Sequence, residues 1–147
     1  EGNPKAFQFS QPNIAALNFS FSGLKTGILY FIQKHTADNP NFITEHLADI
    51  CASVQHTIVE ILMSKLKKAV KETGIKQVAI GGGVSANSGI RNTLTALGQQ
   101  YGWQTFVPKF QYCTDNAAMI GIVGYHKFLE GNFVAQEVTA QARLSFN

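Results

Sequence analysis

Several kinds of feature are scarce or missing in this 147-residue chain, and each absence closes a class of function. The two cysteines, Cys51 and Cys113, stand far apart and form no CxxC pair, so no redox motif or cysteine metal knuckle arises from near neighbours. Reduced, inert thiols in a cytosolic protein are the expectation, with Cys51 in the core of its helix face. The four histidines, His35, His46, His56 and His126, show neither HxxxH nor HxxH spacing. A histidine metal site cannot be assembled by this chain alone, and these residues read as surface or boundary positions. No apolar run reaches membrane-spanning length and no signal peptide opens the chain, which predicts no membrane partner and a cytoplasmic location. Charge is sparse as well: 14% of residues are charged and the net charge of +3 is too mild to announce nucleic-acid binding, without forbidding it. What is present is a packable chain, 45% hydrophobic, with the size of one domain or one lobe.

The opening "EGNPKAFQFSQPNIAAL" carries no initiating methionine and is punctuated by Pro and Asn. Residues 1–18 read as an irregular lead-in, and the sequence is expected to begin inside a longer protein. Ser20 or Ser22 is placed to cap a helix running to about His35, and "TADNPNF" then breaks the chain. Thr44 opens a long helical pattern with Leu47, Ile50, Cys51, Val54, Ile58, Ile61, Leu62 and Leu66 in one stripe. Lysines 65, 67, 68 and 71 crowd its end and Gly74 stops it; they read as a solvated helix end, with a tRNA-facing patch as the sharper alternative. "KQVAI" and "WQTFVP" read as short strands, the second closed by Pro108. Between them Ser88 to about Gln100 is helical, with Ile90, Leu94 and Leu97 on one face. Thr114 to about Glu130 forms a last helix ending at Gly131, and "FVAQEVTAQARLSFN" is weakly strand-like. Strand, glycine turn, helix, strand, helix is the grammar of an α/β layer with helices on a partly parallel sheet.

The stretch "VAIGGGVSAN" leaves Gly81, Gly82 and Gly83 behind a strand and Asn87 at the far lip. Such a turn either lets a helix pack close to its strand or lets a ligand approach bare backbone. Ligands of open α/β sheets sit beyond the carboxyl ends of strands, where this turn lies, and free amides there suit phosphate or sugar oxygens. Gly81, Gly83 and Ala86 satisfy a loose G-x-G-x-x-A fingerprint, but no Asp or Glu stands between Asn87 and Thr114 to hold a ribose. The dinucleotide reading therefore lacks its second half, and only an NADP variant using Lys109 would survive. "SGLKT" is no P-loop, because a leucine separates its glycine from its lysine. An adenosine-type contact remains, with Asn87 offering both donor and acceptor. Asp115, in "CTDNAAMIG", reads by itself as a helix-start residue complementing the macrodipole beside a capping Thr114. Its functional alternative is a carboxylate for a divalent metal beside a phosphate.

Three stretches in this order, "FSFSGLKT", "GGGVSANSGIR" and "CTDNAAMIG", resemble the C-terminal half of the TsaD family of bacterial tRNA threonylcarbamoyladenosine transferases, long labelled O-sialoglycoprotein endopeptidase (Gcp). The resemblance implies a single C-terminal lobe, residues 1–147, of a two-lobe protein with the RNase-H-like fold of the actin/Hsp70/sugar-kinase (ASKHA) type. It implies that Gly82, Gly83 and Asn87 contact ATP or threonylcarbamoyl-adenylate. It further implies that Asp115 is a ligand of one divalent metal, iron or zinc, whose partner histidines lie outside this chain. Transfer of the threonylcarbamoyl group to the adenine beside the tRNA anticodon is the implied reaction, with TsaB and TsaE as accessory partners and the fragment alone inactive. Asn18, Ala117, Ser88 and Gly89 depart from the family pattern without removing a matched ligand position. A non-catalytic nucleotide-binding scaffold lobe and the older metallo-glycopeptidase label are the alternatives, and the second would need a nucleophile–base pair or a histidine zinc site.

Overall fold

The computed structural model describes residues 2–11 and 14–139. Four helices, α1 (Ser22–Asp38), α2 (Phe42–Thr73), α3 (Ser88–Tyr101) and α4 (Ala117–Leu129), and two strands, β1 (Gln77–Ala79) and β2 (Gln104–Phe106), follow in the order α1-α2-β1-α3-β2-α4 among these residues. The strands pair in parallel, Gln77 opposite Gln104, Val78 opposite Thr105 and Ala79 opposite Phe106, with α3 as the crossover. The architecture is α/β with a two-stranded parallel sheet among the described residues.

The core lies where α2 and α3 cover this sheet. Val59 and Met63 of α2, Val78 of β1, and Ile90, Leu94 and Leu97 of α3 are all buried, and Leu62, Leu66, Val70, Ile80, Trp103 and Val107 close around them. The period of α3 explains its docking: three leucine-family side chains fall on one stripe and all three are buried. Close approach of α3 to β2 needs Gly98, where a Cβ would stand 2.6 Å from Thr105 Cγ2. Gly74 ends α2 in the left-handed conformation at φ 72°, its amide bonded to the Val70 carbonyl.

Two capping expectations and one helix start are corrected. Neither Ser20 nor Ser22 caps α1; Phe21, at φ −109° and ψ −9°, already holds near-helical dihedrals, so Ser22 lies inside the helix. Thr44 likewise falls in the first turn of α2, which begins at Phe42. Burial of Phe42 sets that start, its ring stacked on His35 at 4.5 Å between centroids and packed on Phe31 and His46. Asn116, not Thr114, caps α4, accepting from the Met119 amide at 3.2 Å. At α1 and α2 the near-helical dihedrals of Phe21 and Asn41 leave no side chain on the free amides, whereas at α4 the extended Asn116 reaches them.

The predicted stripe of α2 is partly right. Ile50 and Ile61 are buried and Val54, Ile58, Leu62 and Leu66 half-buried, but Leu47 and Cys51 are exposed. Length explains the difference: α2 has 32 residues and α3 only 14, so α3 covers one half of α2. Among the described residues of the lead-in there is no helix or strand before Ser22, and they run along α2 from Asp49 to Lys65. Ser53 Oγ accepts from the Phe7 amide and donates to the Asn3 carbonyl, Asn3 N–H donates to Asp49, and Gln11 donates to Glu60. Lys65 Nζ holds the carbonyls of Ile14 and Ala16 at 2.5 and 2.9 Å.

No residue of α4 is buried. Residues 131–139 form turns and no strand, and the remainder of the strand-like tail lies outside the described residues.

Candidate functional site

Two loops leave the carboxyl edge of the sheet. The first leaves β1 through Ile80, whose amide continues the ladder to the Phe106 carbonyl at 3.1 Å, and enters the three glycines. Gly82 sits at φ 76° and ψ 176°, a conformation essentially closed to residues with a Cβ. A 3₁₀ turn, Gly83–Ala86, follows; Ser85 is buried and donates from its hydroxyl and its amide to the Gly82 carbonyl at 2.6 and 3.0 Å. A Cβ added to Gly81, Gly82 or Gly83 would meet nothing within 4 Å. The close-packing explanation therefore fails for this turn and belongs to Gly98. The Gly81 and Gly82 amides have no hydrogen-bond partner among the described residues.

Asn87 ends the turn and begins α3. Its Oδ1 accepts from the Ile90 amide at 3.1 Å and its Nδ2 donates to Gln55 of α2 at 3.2 Å. The residue expected to touch a nucleotide is thus also the N-cap of α3 and a tie between two helices. A groove of about 220 Å³ opens beside it, lined by Cys51, Val54, Gln55, Ile58, Asn87 and Ile90 among others. Clefts that enclose a drug-sized ligand hold roughly 300–1,000 Å³, so this groove is too small to enclose one.

The second loop leaves β2 through Val107 and Pro108, makes a short 3₁₀ turn at Phe110–Tyr112, and reaches Cys113, Thr114, Asp115 and Asn116. Cys113 is buried, whereas Thr114 and Asp115 are exposed. Asp115 makes no ion pair or side-chain hydrogen bond among the described residues, so its carboxylate is free for a ligand; it precedes α4 rather than sitting in its first turn. Among the described residues no group of three or more His, Cys, Asp and Glu side chains converges. Asp115 fits one oxygen ligand of a metal, and a complete site needs donors from elsewhere.

Arg91 joins the two loops, and it was missing from the expected site. Its guanidinium donates to the Ser85 carbonyl at 2.9 Å and to the Pro108 carbonyl at 2.7 Å, approaches Cys113 Sγ at 3.7 Å, and lies 4.2 Å from the centre of the Phe110 ring. A signal existed in the sequence: a basic residue in the first turn of a helix opposes the macrodipole and calls for a compensating role. Gln55 carried no comparable signal.

The arrangement presents free backbone amides, a capped helix start and a free carboxylate on one edge of the sheet, held in register by one arginine. It can receive an anionic oxygen on the glycine turn and a cation at the aspartate.

A family model described as TsaD, tRNA N6-adenosine threonylcarbamoyltransferase, matches residues 1–122. The chain is 62% identical over 146 residues to the tRNA N6-adenosine threonylcarbamoyltransferase of Christiangramia forsetii, covering 99% of the chain and 43% of that protein. To the proteins of that name from Cytophaga hutchinsonii and Porphyromonas gingivalis it is 51% and 49% identical, over 98% and 99% of the chain and 42% of each relative. The chain thus spans less than half the length of these relatives.

Proposed function

The chain belongs to the TsaD family, and from that premise we propose that it is the C-terminal nucleotide-binding lobe, of RNase-H-like ASKHA fold, of a cytoplasmic tRNA-modifying transferase. The reaction proposed is transfer of the threonylcarbamoyl group from threonylcarbamoyl-adenylate to the adenine beside the anticodon, and it accounts for both loops of the site. The observation that carries this reading is the unwalled glycine turn, where a Cβ would meet nothing within 4 Å, tied by Arg91 to the loop bearing Asp115.

In this reading the Gly82 and Gly83 backbone receives phosphate or ribose oxygens of the adenylate, or of ATP, and Asn87 fixes their position. The cap and the Gln55 bond use one acceptor and one donor of the Asn87 amide, leaving a second hydrogen on Nδ2 and a second lone pair on Oδ1 for the ligand. Holding the acyl phosphate on the turn's backbone lets the incoming amine attack the carbamoyl carbon without a search for orientation, the carbon–oxygen bond to phosphate breaking and AMP leaving. Asp115 supplies one carboxylate oxygen to a divalent metal, iron or zinc, whose other ligands, histidines, come from the part of the relatives that this chain does not match. Bound there, the metal supplies Lewis-acid polarisation of a phosphate or carbonyl oxygen. The 147-residue chain by itself then transfers nothing, and TsaB and TsaE are the accessory partners of the whole enzyme.

The test is Gly83→Ala in the full-length protein. Added to open space, the methyl leaves the fold unchanged but occupies the ligand's approach, so adenylate binding by calorimetry and tRNA modification both fall. Unchanged binding removes the turn from the site. Metal analysis of Asp115→Ala is the companion experiment: metal content at the wild-type level returns Asp115 to the loop as a bystander.

A further inference from the structure

The opposite edge of the sheet carries a second feature. Residues 61–80 hold five of the chain's twelve Lys and Arg residues, Lys65, Lys67, Lys68, Lys71 and Lys76, and one of its nine acids, Glu72. Lys67 and Lys71 from the last turns of α2, Lys76 from the approach to β1, and Tyr101 and Trp103 from the end of α3 and the approach to β2 line one cavity of about 420 Å³ with Val70. Its lining contains no acidic side chain. The one acid of the segment, Glu72, is engaged by Lys68 at 3.6 Å, and among the described residues Lys67, Lys71 and Lys76 form no ion pair. Lys71 near the end of α2 complements the helix dipole, but Lys76 lies beyond the helix and has no such role.

The aromatic pair is the independent observation. Tyr101 and Trp103 stack with ring centres 5.4 Å apart and an interplanar angle of 23°. Trp103 is anchored against the core, while Tyr101 is 46% exposed at the mouth of the cavity. Lysines alone serve any anion; a flat aromatic platform among them matches a chain of phosphates interleaved with bases.

We propose that Lys67, Lys71, Lys76 and the Tyr101–Trp103 stack form an RNA-binding face that holds the substrate tRNA at a distance from the reacting adenine. This deepens the transferase reading above and rests on it. The face lies at the amino edge of the sheet and the glycine turn at the carboxyl edge, so it is separate from the proposed adenylate site and open to another part of the substrate. The lysines supply phosphate neutralisation and the ring of Tyr101 stacks on one unpaired base.

The experiment measures tRNA binding by the full-length protein across a salt series, together with adenylate binding and tRNA modification. The triple variant Lys67→Gln/Lys71→Gln/Lys76→Gln is expected to lose about 10- to 100-fold in tRNA affinity, and its log–log salt slope to shrink by about 2–3. Adenylate affinity stays at the wild-type value. Tyr101→Ala weakens tRNA about tenfold with the slope unchanged, and Tyr101→Phe, which keeps the ring, restores binding. Wild-type affinity and slope in these variants, with tRNA still modified, overturn the RNA face and leave the transferase reading standing. A wild-type protein that neither binds nor modifies tRNA overturns the transferase reading and this face with it. If the triple variant loses binding to phosphatidylserine vesicles while keeping tRNA, the face serves an anionic lipid surface and the RNA assignment is wrong.

Discussion

Helices α3 and α4 begin alike and end up in opposite circumstances. Each is capped by an asparagine whose side chain accepts from the amide three residues on, Asn87 from Ile90 and Asn116 from Met119, and they run to 14 and 13 residues. Yet α3 buries Ile90, Leu94, Leu97 and Gly98, while α4 leaves Ile120, Ile122, Val123, Phe128 and Leu129 more than half exposed. The two patterns were written for different surroundings. In α3 apolar and polar residues alternate at helical period, which suits one buried stripe. In α4 apolar residues fall on nearly every side, the pattern of a helix enclosed by neighbours. Local devices start a helix; only coverage makes it contribute to stability.

The comparison is sharpened most by truncating the core. Leu94 is fully buried, and Leu94→Ala should cost about 3 kcal/mol in urea unfolding; a loss below about 1 kcal/mol would mean that α3 is no better supported than α4. Gly82→Ala, at the entry to α3, should cost about 2 kcal/mol from its φ of 76°, whereas Gly83→Ala stays within about 0.5 kcal/mol; equal losses would show that the turn is packed after all. Asn87→Ala should lose about 1 kcal/mol, and Asn87→Asp should recover most of it by keeping the acceptor at the helix start. The matching change Asn116→Ala is expected to cost under about 0.5 kcal/mol, because α4 can fray without opening the core; parity between the two caps breaks the contrast. Smallest of all is Ile120→Ala, 77% exposed, with an unfolding midpoint indistinguishable from wild type.

Those predictions also mark what the sequence made legible. The face of α3, the stop at Gly74 and both short strands could be read because periodicity and a left-handed glycine are properties of a few neighbouring residues. The starts of α1 and α2 could not, since Phe21 and Asn41 enter with near-helical dihedrals that residue type does not reveal, and at α4 Thr114 and Asn116 were both suitable caps by residue type. Cys51 was expected inside and is exposed, because its burial depended on how far a shorter helix reaches along α2. Ser53 and Thr57 are buried without any apolar signal; their hydroxyls are satisfied by the lead-in and by the helix's own carbonyls. At the site, Gly82, Gly83, Asn87 and Asp115 stand on two loops of one edge, as chain order alone suggested. The capping role of Asn87 and the clamp of Arg91 needed three dimensions.

That clamp has a consequence in time as well as in space. Because one guanidinium binds the carbonyls of Ser85 and Pro108 through two separate donors, a swing of Arg91 away from the sheet edge frees both loops at once. Protons on the Ser85 and Asn87 amides, bonded to Gly82 and Val84, should therefore exchange with solvent in step with those of Tyr112 and Cys113, bonded to Lys109 and Phe110. Four slow protons on segments more than twenty residues apart would report one opening event, and a lysine at position 91, lacking the forked pair of donors, would let the two segments breathe on separate clocks.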